Sequence, residues 1–218
     1  MTEYFVPTGA GESEYVEKRS RFLGHVRPAE SEDEARAFIA AVKKEHYDAR
    51  HNCWCYIIKD GPERYSDDGE PQGTAGIPML EILRREGVTN AVCVVTRYFG
   101  GVLLGTGGLF RAYTRSAKDA LDDAGISVVR RWLTLDLPCS YAAAERYKNE
   151  LAACGGAVAE MDYGASVTIR ALLPEERIDA FSARIFELSG GSVTPPAAHS
   201  SSSRSRPIQP RSPVAIRS

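Results

Sequence analysis

Residues 90–96 read Asn-Ala-Val-Cys-Val-Val-Thr, an apolar run of strand length with turn residues around it. A strand without polar alternation cannot leave one face in water, so the run predicts a sheet covered on both faces. The rest of the chain must therefore supply two covering layers. The flanks of this strand are rich in glycine and charge. Before it come Tyr65-Ser-Asp-Asp-Gly-Glu-Pro-Gln-Gly-Thr-Ala-Gly76 and a short helical segment. After it comes Arg97-Tyr-Phe-Gly-Gly-Val-Leu-Leu-Gly-Thr-Gly-Gly-Leu109. Clustered glycine lets a backbone approach another group closely, and loops of this kind carry binding groups on a rigid scaffold.

The helices and strands needed for the layers are present. Residues 14–28 read as one extended segment with a basic cluster, Lys18-Arg19-Ser20-Arg21, which is either a solvated strand edge or a face for anions. Ser31-Glu32-Asp33-Glu34 is a capping box, followed by a helical stripe of Ala35, Phe38, Ile39 and Val42 that ends at His46. Residues 52–59 form an aromatic and β-branched strand in which Cys53 and Cys55 share a face. A zinc site there would need His46 and His51 to complete it, and buried free thiols explain the pair more simply. Asp60-Gly61-Pro62 is a turn. Pro78 suits the first residue of a helix whose core face is Met79, Leu80, Ile82 and Leu83, closed by Gly87. Thr106 is expected to cap a helix to about Asp123, with Leu109, Tyr113, Ala117, Ala120 and Leu121 inward and Gly125 at its end.

The pattern then changes. Residues 126–138 read as one long strand with an alternating second half. After it come a helix over 141–154, strands over 157–163 and 165–172, and a helix over 175–188. This β-α-β-β-α order is most of a ferredoxin-like split βαβ unit, with only Ser192-Val193-Thr194 left for a short last strand. Three regions are expected: a first domain over 1–127, a second over 128–194, and a disordered tail over 195–218. The tail's 24 residues hold seven serines, five prolines, four arginines and no acid. Setting it aside leaves the first 194 residues at −6, against −2 for the whole chain. The tail is either a plain unstructured end or a source of nonspecific affinity for a polyanion.

Composition narrows the class of function. With 43% hydrophobic and 26% charged residues the chain reads as an ordinary globular protein able to bury a core. Five cysteines, an odd number mostly in apolar contexts, argue against a disulfide framework and for a reducing compartment. No signal-peptide pattern opens the sequence, and no run of about 18 apolar residues suits a membrane span. The expectation is a cytoplasmic protein.

The two glycine-rich loops carry the candidate chemistry. Gly100, Gly101, Gly105, Thr106, Gly107 and Gly108 follow a strand and open a helix, where free N–H groups and the helix dipole favour an anion. Arg97 and Arg111 would add positive charge. The run matches neither the Walker nor the dinucleotide pattern, and tight helix–strand packing alone could also demand the glycines. In the acidic loop, Asp67, Asp68 and Glu70 have three readings: ligands for Mg²⁺ with phosphate, caps for backbone turns, or partners of Arg97. His51 with Asp67 or Asp68 is a possible acid–base pair, but no nucleophile stands out and no catalytic residue is assigned.

Together, Asp48-Ala-Arg-His51 before a Cys/Trp strand, Ser66-Asp-Asp-Gly-Glu-Pro71, Gly73-Thr-Ala-Gly76, Arg97-Tyr-Phe-Gly-Gly101 and Leu104-Gly-Thr-Gly-Gly-Leu109 resemble the YigZ/IMPACT family over residues 14–125. The later segment resembles the second domain of the bacterial YigZ branch, which is similar to a C-terminal domain of elongation factor G. The resemblance implies an α+β protein. Its first domain would have the ribosomal-protein domain 2-like left-handed βαβ fold, shared with small-molecule kinases, and its second a ferredoxin-like βαββα fold. The basic tail and weak last strand depart from the family pattern.

Eukaryotic members regulate translation under amino-acid stress through an N-terminal recognition domain with no counterpart in these residues, so that role does not carry over literally. The bacterial branch is usually read as linked to nucleic acid or the ribosome. A proline-dipeptidase label carried by some members finds no metal-ligand constellation here. The expected function is a non-enzymatic regulator or binding protein of the translation machinery, with ribosome, RNA or a translation factor as partner. Arg97 and the glycine-loop backbone would meet phosphate, Tyr98 would stack on a base, and His51, Asp67, Asp68 and Glu70 would complete the site. No cofactor is expected on this reading. The alternatives are a Mg²⁺-dependent enzyme acting on a phosphorylated small molecule or nucleotide in the same cleft, and a pure protein-interaction module.

Overall fold

The computed structural model, which describes residues 3–130 and 132–191, places strand β6 (Ala91–Tyr98) at the centre of a five-stranded antiparallel sheet. The order is β2-β3-β6-β4-β5, with β2 (Gly11–Glu17), β3 (Ser20–Pro28), β4 (His51–Ile57) and β5 (Glu63–Ser66). Every residue of β6 except Tyr98 is buried, because helices cover both faces. Val92 and Val94 point with Tyr56 and Ile58 toward α1 (Glu32–Glu45), meeting Ala35, Ile39 and Val42. Cys93 and Val95 point with Phe22, Val26, Cys53 and Cys55 toward α2 (Gly76–Arg85) and α3 (Gly105–Ala124), meeting Met79, Leu83, Tyr113 and Leu121. A two-stranded sheet of β1 (Glu3–Pro7) and β7 (Ile126–Arg130) completes this unit, tied by a 2.6 Å bond between the Thr8 and Ser127 hydroxyls.

Several boundaries differ from expectation for local reasons. The extended segment 14–28 is two strands, turned back at Lys18 and Arg19, both at positive φ (47° and 67°). Strand β5 was not expected from its four half-polar residues; it exists because β4 offers it a paired edge. Helix α2 begins at Gly76, so Pro78 is its third residue rather than its first. That position also lacks an intrahelical acceptor for an N–H, so proline is tolerated there. Leu104, not Thr106, occupies the cap position of α3, and no side chain caps it. At α1, Ser31 Oγ accepts from Glu34 N at 3.2 Å, but Glu34 reaches back one residue further than expected, to Glu30 N at 2.7 Å.

The expected long strand over 126–138 is two strands. β7 pairs with β1, whereas β8 (Trp132–Cys139) belongs to a separate three-stranded antiparallel sheet. The compact units divide there, one over Tyr4–Val129 and the next from Arg130. The second sheet has the order β8-β10-β9, with β9 (Ala157–Tyr163) and β10 (Val167–Pro174). Leu135, Leu137, Val167 and Ile169 pack with Tyr147 and Leu151 of α4 (Tyr141–Ala153) and with Phe181 and Ile185 of α5 (Ile178–Leu188). A 3₁₀ turn, Glu175–Arg177, takes the place of the first turn expected for α5. The expected strand at Ser192-Val193-Thr194 and the tail 195–218 lie outside the described residues. This is a two-unit α+β architecture. Among the described residues, no helix is long and apolar enough to cross a membrane.

Candidate functional site

The acidic loop between β5 and α2 turns its charge inward. Asp67 Oδ1 accepts from the N–H groups of Ala75 and Gly76 at 3.0 and 2.8 Å, and its Oδ2 accepts from Gly73 at 2.8 Å. One carboxylate thus caps the start of α2, where backbone donors are unpaired and the dipole favours negative charge. Asp68, at φ 45°, accepts from Asn52 N at 2.7 Å and from Lys43 Nζ at 2.6 Å. Its carbonyl accepts from His51 Nδ1 at 2.8 Å, which places the ring proton on that nitrogen. The Cys53 thiol, pushed up in pKa by burial, donates to the Asp67 carbonyl at 3.0 Å. It is an unreactive thiol holding the loop to the sheet.

Glu70 enters the interior. Its Oε1 accepts from Arg97 Nη1 at 2.6 Å and from the Tyr113 hydroxyl at 2.8 Å, with the Glu70 side chain 3% and that of Arg97 6% exposed. Burial raises the Tyr113 pKa, so the phenol is a neutral donor. His51 Nε2 lies 4.0 Å from the other Glu70 oxygen. These groups meet because the sheet register sets His51 and Phe22 on either side of Arg97, on the face that α3 covers. The Arg97 guanidinium sits 5.5 Å from the ring centres of both Phe22 and Phe99, and its Nε is buried without a hydrogen-bond partner.

The glycine loop divides at its second residue. Gly100 packs on the β2–β3 turn: a Cβ there would lie 2.0 Å from the Arg19 carbonyl carbon, and its N–H donates to Ser20 Oγ at 3.1 Å. Only glycine fits that approach. Beyond it the chain turns outward. Gly101 and Gly105 have positive φ and open space around them, and Thr106 and Gly107 are exposed at the uncapped start of α3. Gly108 packs on Leu104 of the same turn, and Arg111 is exposed. Leu103, an apolar residue, is 83% exposed.

Tyr98, beside Arg97 but on the opposite face of the sheet, is held by its hydroxyl. The hydroxyl donates to Asp48 at 3.1 Å and accepts from His46 Nδ1 at 3.0 Å. His46 Nε2 is buried without a partner, as is Nε2 of the adjacent His25, whose pKa burial lowers. His46 therefore lies across the sheet from Cys53 and Cys55. Among the described residues, no three or more His, Cys, Asp or Glu side chains are placed to hold a metal ion.

The expected site residues thus fall into two groups. His51, Asp67, Asp68, Glu70 and Arg97 converge on an interior network. Tyr98 and the glycine loop border the surface, and Arg111 stands further along α3. Sequence reasoning missed Asn52, Lys43 and Tyr113 as partners of the carboxylates. It also missed Arg50, whose guanidinium lies 5.9 Å from the ring centre of Phe99. Exposed Leu103 amid glycines was the legible signal of an outward loop; nothing local marked the carboxylate partners.

Residues 18–121 match the Impact N-terminal domain, and residues 137–192 match a domain of unknown function, DUF1949. The chain is 38% identical to the IMPACT family member YvyE of Bacillus subtilis over 88% of its own length and 89% of that protein. The chain belongs to the IMPACT family. It is likewise 38% identical to the IMPACT family member YigZ of Escherichia coli, over 81% of this chain and 88% of that one. A crystal structure of a hypothetical protein, 35% identical, aligns over 92% of this chain and all of its own with a TM-score of 0.58. The Impact N-terminal match takes in β3 to β6 of the five-stranded sheet and both glycine-rich loops, and the DUF1949 match takes in β9 and β10 of the three-stranded sheet.

Proposed function

We propose that this protein binds RNA of the translation machinery through the end of the five-stranded sheet where the β2–β3 turn, the glycine loop and Arg50 meet. The observation that carries the reading is the Arg50 guanidinium over the 41% exposed ring of Phe99, whose neighbour Gly100 packs on the backbone of exposed Arg19, with exposed Lys18 beside it in the turn. Exposed cations beside an aromatic ring are what a single-stranded segment requires: charge for phosphates and, in the Arg50 guanidinium stacked on Phe99, a plane against which a base can lie. Among the described residues Lys18, Arg19 and Arg50 have no ion-pair partner, so their charge is available to a ligand. Arg97 acts in this reading as a support beneath Phe99 and not as a phosphate contact. The α3 N-terminus can accept a phosphate beside Leu103. The antiparallel order β8-β10-β9 is the one expected of a ferredoxin-like unit before its last strand joins, which accords with the translation-factor likeness.

The test is co-sedimentation with ribosomes at low and moderate salt. Wild type runs beside Arg50→Glu/Phe99→Ala and a form ending at Thr194. Salt-sensitive association, weakened roughly tenfold or more between about 50 and 200 mM salt, kept by the shortened form and lost in the double variant, is the expected result. Association that the double variant retains, or that only the shortened form loses, overturns the assignment to this surface.

A further inference from the structure

A second surface stands apart from the carboxylate network and from the sheet end. Helices α2 and α3 leave between their outward sides a groove of about 390 Å³. Its exposed apolar side chain is Phe110 on α3, 47% exposed, which stands over the largely buried Ile82 of α2. Around it stand Arg85 at the end of α2 and Arg111, Arg115 and Lys118 along α3. The α3 residues recur at helical spacing, with Phe110 and Lys118 two turns apart on one row and Arg111 and Arg115 one turn apart on the next. One acid, Glu86, shares the lining and lies 3.7 Å from Lys118. Lys118 also pairs with Asp122, and Arg115 with Asp119 at 2.6 Å. Arg85 and Arg111 have no ion-pair partner among the described residues, and both are exposed.

We propose that this groove docks an acidic amphipathic helix of a protein partner. Its apolar row would lie on Phe110 at the groove floor, and its carboxylates would reach Arg85 and Arg111. An apolar strip between two parallel rows of side chains is the geometry of helix-in-groove recognition, and unpaired cations at its rim select an acidic ligand. RNA suits the groove less well. Two of its four cations are already neutralised by α3's own aspartates, and the Thr114 hydroxyl donates to the Phe110 carbonyl at 2.7 Å rather than standing free for a base edge. The chain's own tail, with four arginines and no acid, has the wrong charge. The groove touches the RNA surface only at the first turn of α3, where the Arg111 guanidinium lies beside Gly107; Arg50, Phe99 and the β2–β3 turn take no part in it.

The experiment titrates the isotope-labelled full chain with three probes while backbone amide shifts are followed. One is an 18-residue helical peptide with leucines on one face and glutamates on the other. The second is the same peptide with lysines for glutamates, and the third is a 20-nucleotide oligouridine. The acidic peptide is expected to shift α2 and α3 amides around Phe110, at least tenfold more weakly in Arg85→Glu/Arg111→Glu and in Phe110→Ser, and unchanged in Arg50→Glu/Phe99→Ala. Oligouridine shifting the same amides, equal binding of the lysine peptide, binding indifferent to the groove variants, or no shift with excess acidic peptide each overturns the proposal. Concentration-dependent shifts of these amides without any probe assign the groove to a second copy of this chain and overturn it as well.

Discussion

The acidic loop over 66–76 and the glycine loop over 99–108 look alike as sequence, yet the protein uses them in opposite ways. Each joins a strand to a helix and each is rich in glycine. The acidic loop carries three carboxylates and directs them to protein donors: the open N-terminus of α2, the Asn52 amide, Lys43, Arg97 and Tyr113. The glycine loop carries no acid, caps nothing, and leaves the N-terminus of α3 open beside an exposed leucine. A helix N-terminus attracts negative charge in either case. Where the chain supplies that charge itself, the result is a rigid connection. Where it does not, the end stays free for an outside anion.

The largest effect that would break this contrast is at Glu70. Glu70→Ala strands the buried Arg97 guanidinium and the Tyr113 hydroxyl, and is expected to cost about 3–5 kcal/mol in urea unfolding. Replacing both charges, Glu70→Leu with Arg97→Met, should recover most of the loss. A single-variant cost under about 1 kcal/mol would mean that the pair behaves as a surface one and that the acidic loop is not an interior lock.

Asp67→Ala comes next. It removes the acceptor of three backbone N–H groups, and a loss of about 2–3 kcal/mol is expected, with faster amide exchange at Gly73, Ala75 and Gly76. Protection unchanged at those amides would contradict the capping role.

Acid should loosen the two loops unequally. Burial keeps His25 neutral, aided by His46 and Arg27 and opposed by Glu12 and Glu45. A lowered folded pKa means that the unfolded chain binds the proton more readily, so this stability is present above about 6.5 and is lost as pH falls below it toward the folded value. Because His46 anchors Tyr98 at the root of the glycine loop, the protection factors of amides in residues 98–104, taken against the intrinsic exchange rate at each pH, should fall between pH 7.5 and 5 before those in residues 66–76. The reverse order, or the same behaviour in His25→Leu, would separate the histidines from the loop. The smallest effect on stability is at the exposed tip: Leu103→Ser should change unfolding by no more than about 0.5 kcal/mol, while weakening ribosome association. A larger stability loss would show that Leu103 packs against the protein and is not a free contact residue.

Much of this was legible in advance because it rests on periodicity. The apolar run 90–96 required covering layers on both faces, and the stripes through Met79–Leu83 and Leu109–Leu121 supplied one of them. The stripe Ala35–Val42 supplied the other. Such patterns report burial directly, since a side chain's face follows from its position in a strand or helix. Pairing left weaker traces. Residues 126–138 read as one strand with an alternating second half, but β7 and β8 hydrogen-bond to different sheets, and no local residue marks the change of partner. Strand β5 is equally silent, since a short polar strand is defined by the edge it joins.

The sequence by itself determined the two-sided sheet, the helix faces, the family and the loops in which charge and glycine gather. Tertiary structure alone decided where that charge goes. Asp67, Asp68 and Glu70 read equally as metal ligands, caps or ion-pair partners, because a carboxylate's chemistry is the same in all three. Folding brings the α2 N-terminus, Asn52, Lys43 and Arg97 within 2.6–3.0 Å of them, and donors so placed claim the oxygens. The same register that buries Arg97 leaves Arg50 and Phe99 outward, so the cations available to a ligand are set by burial and distance, which residue type does not encode.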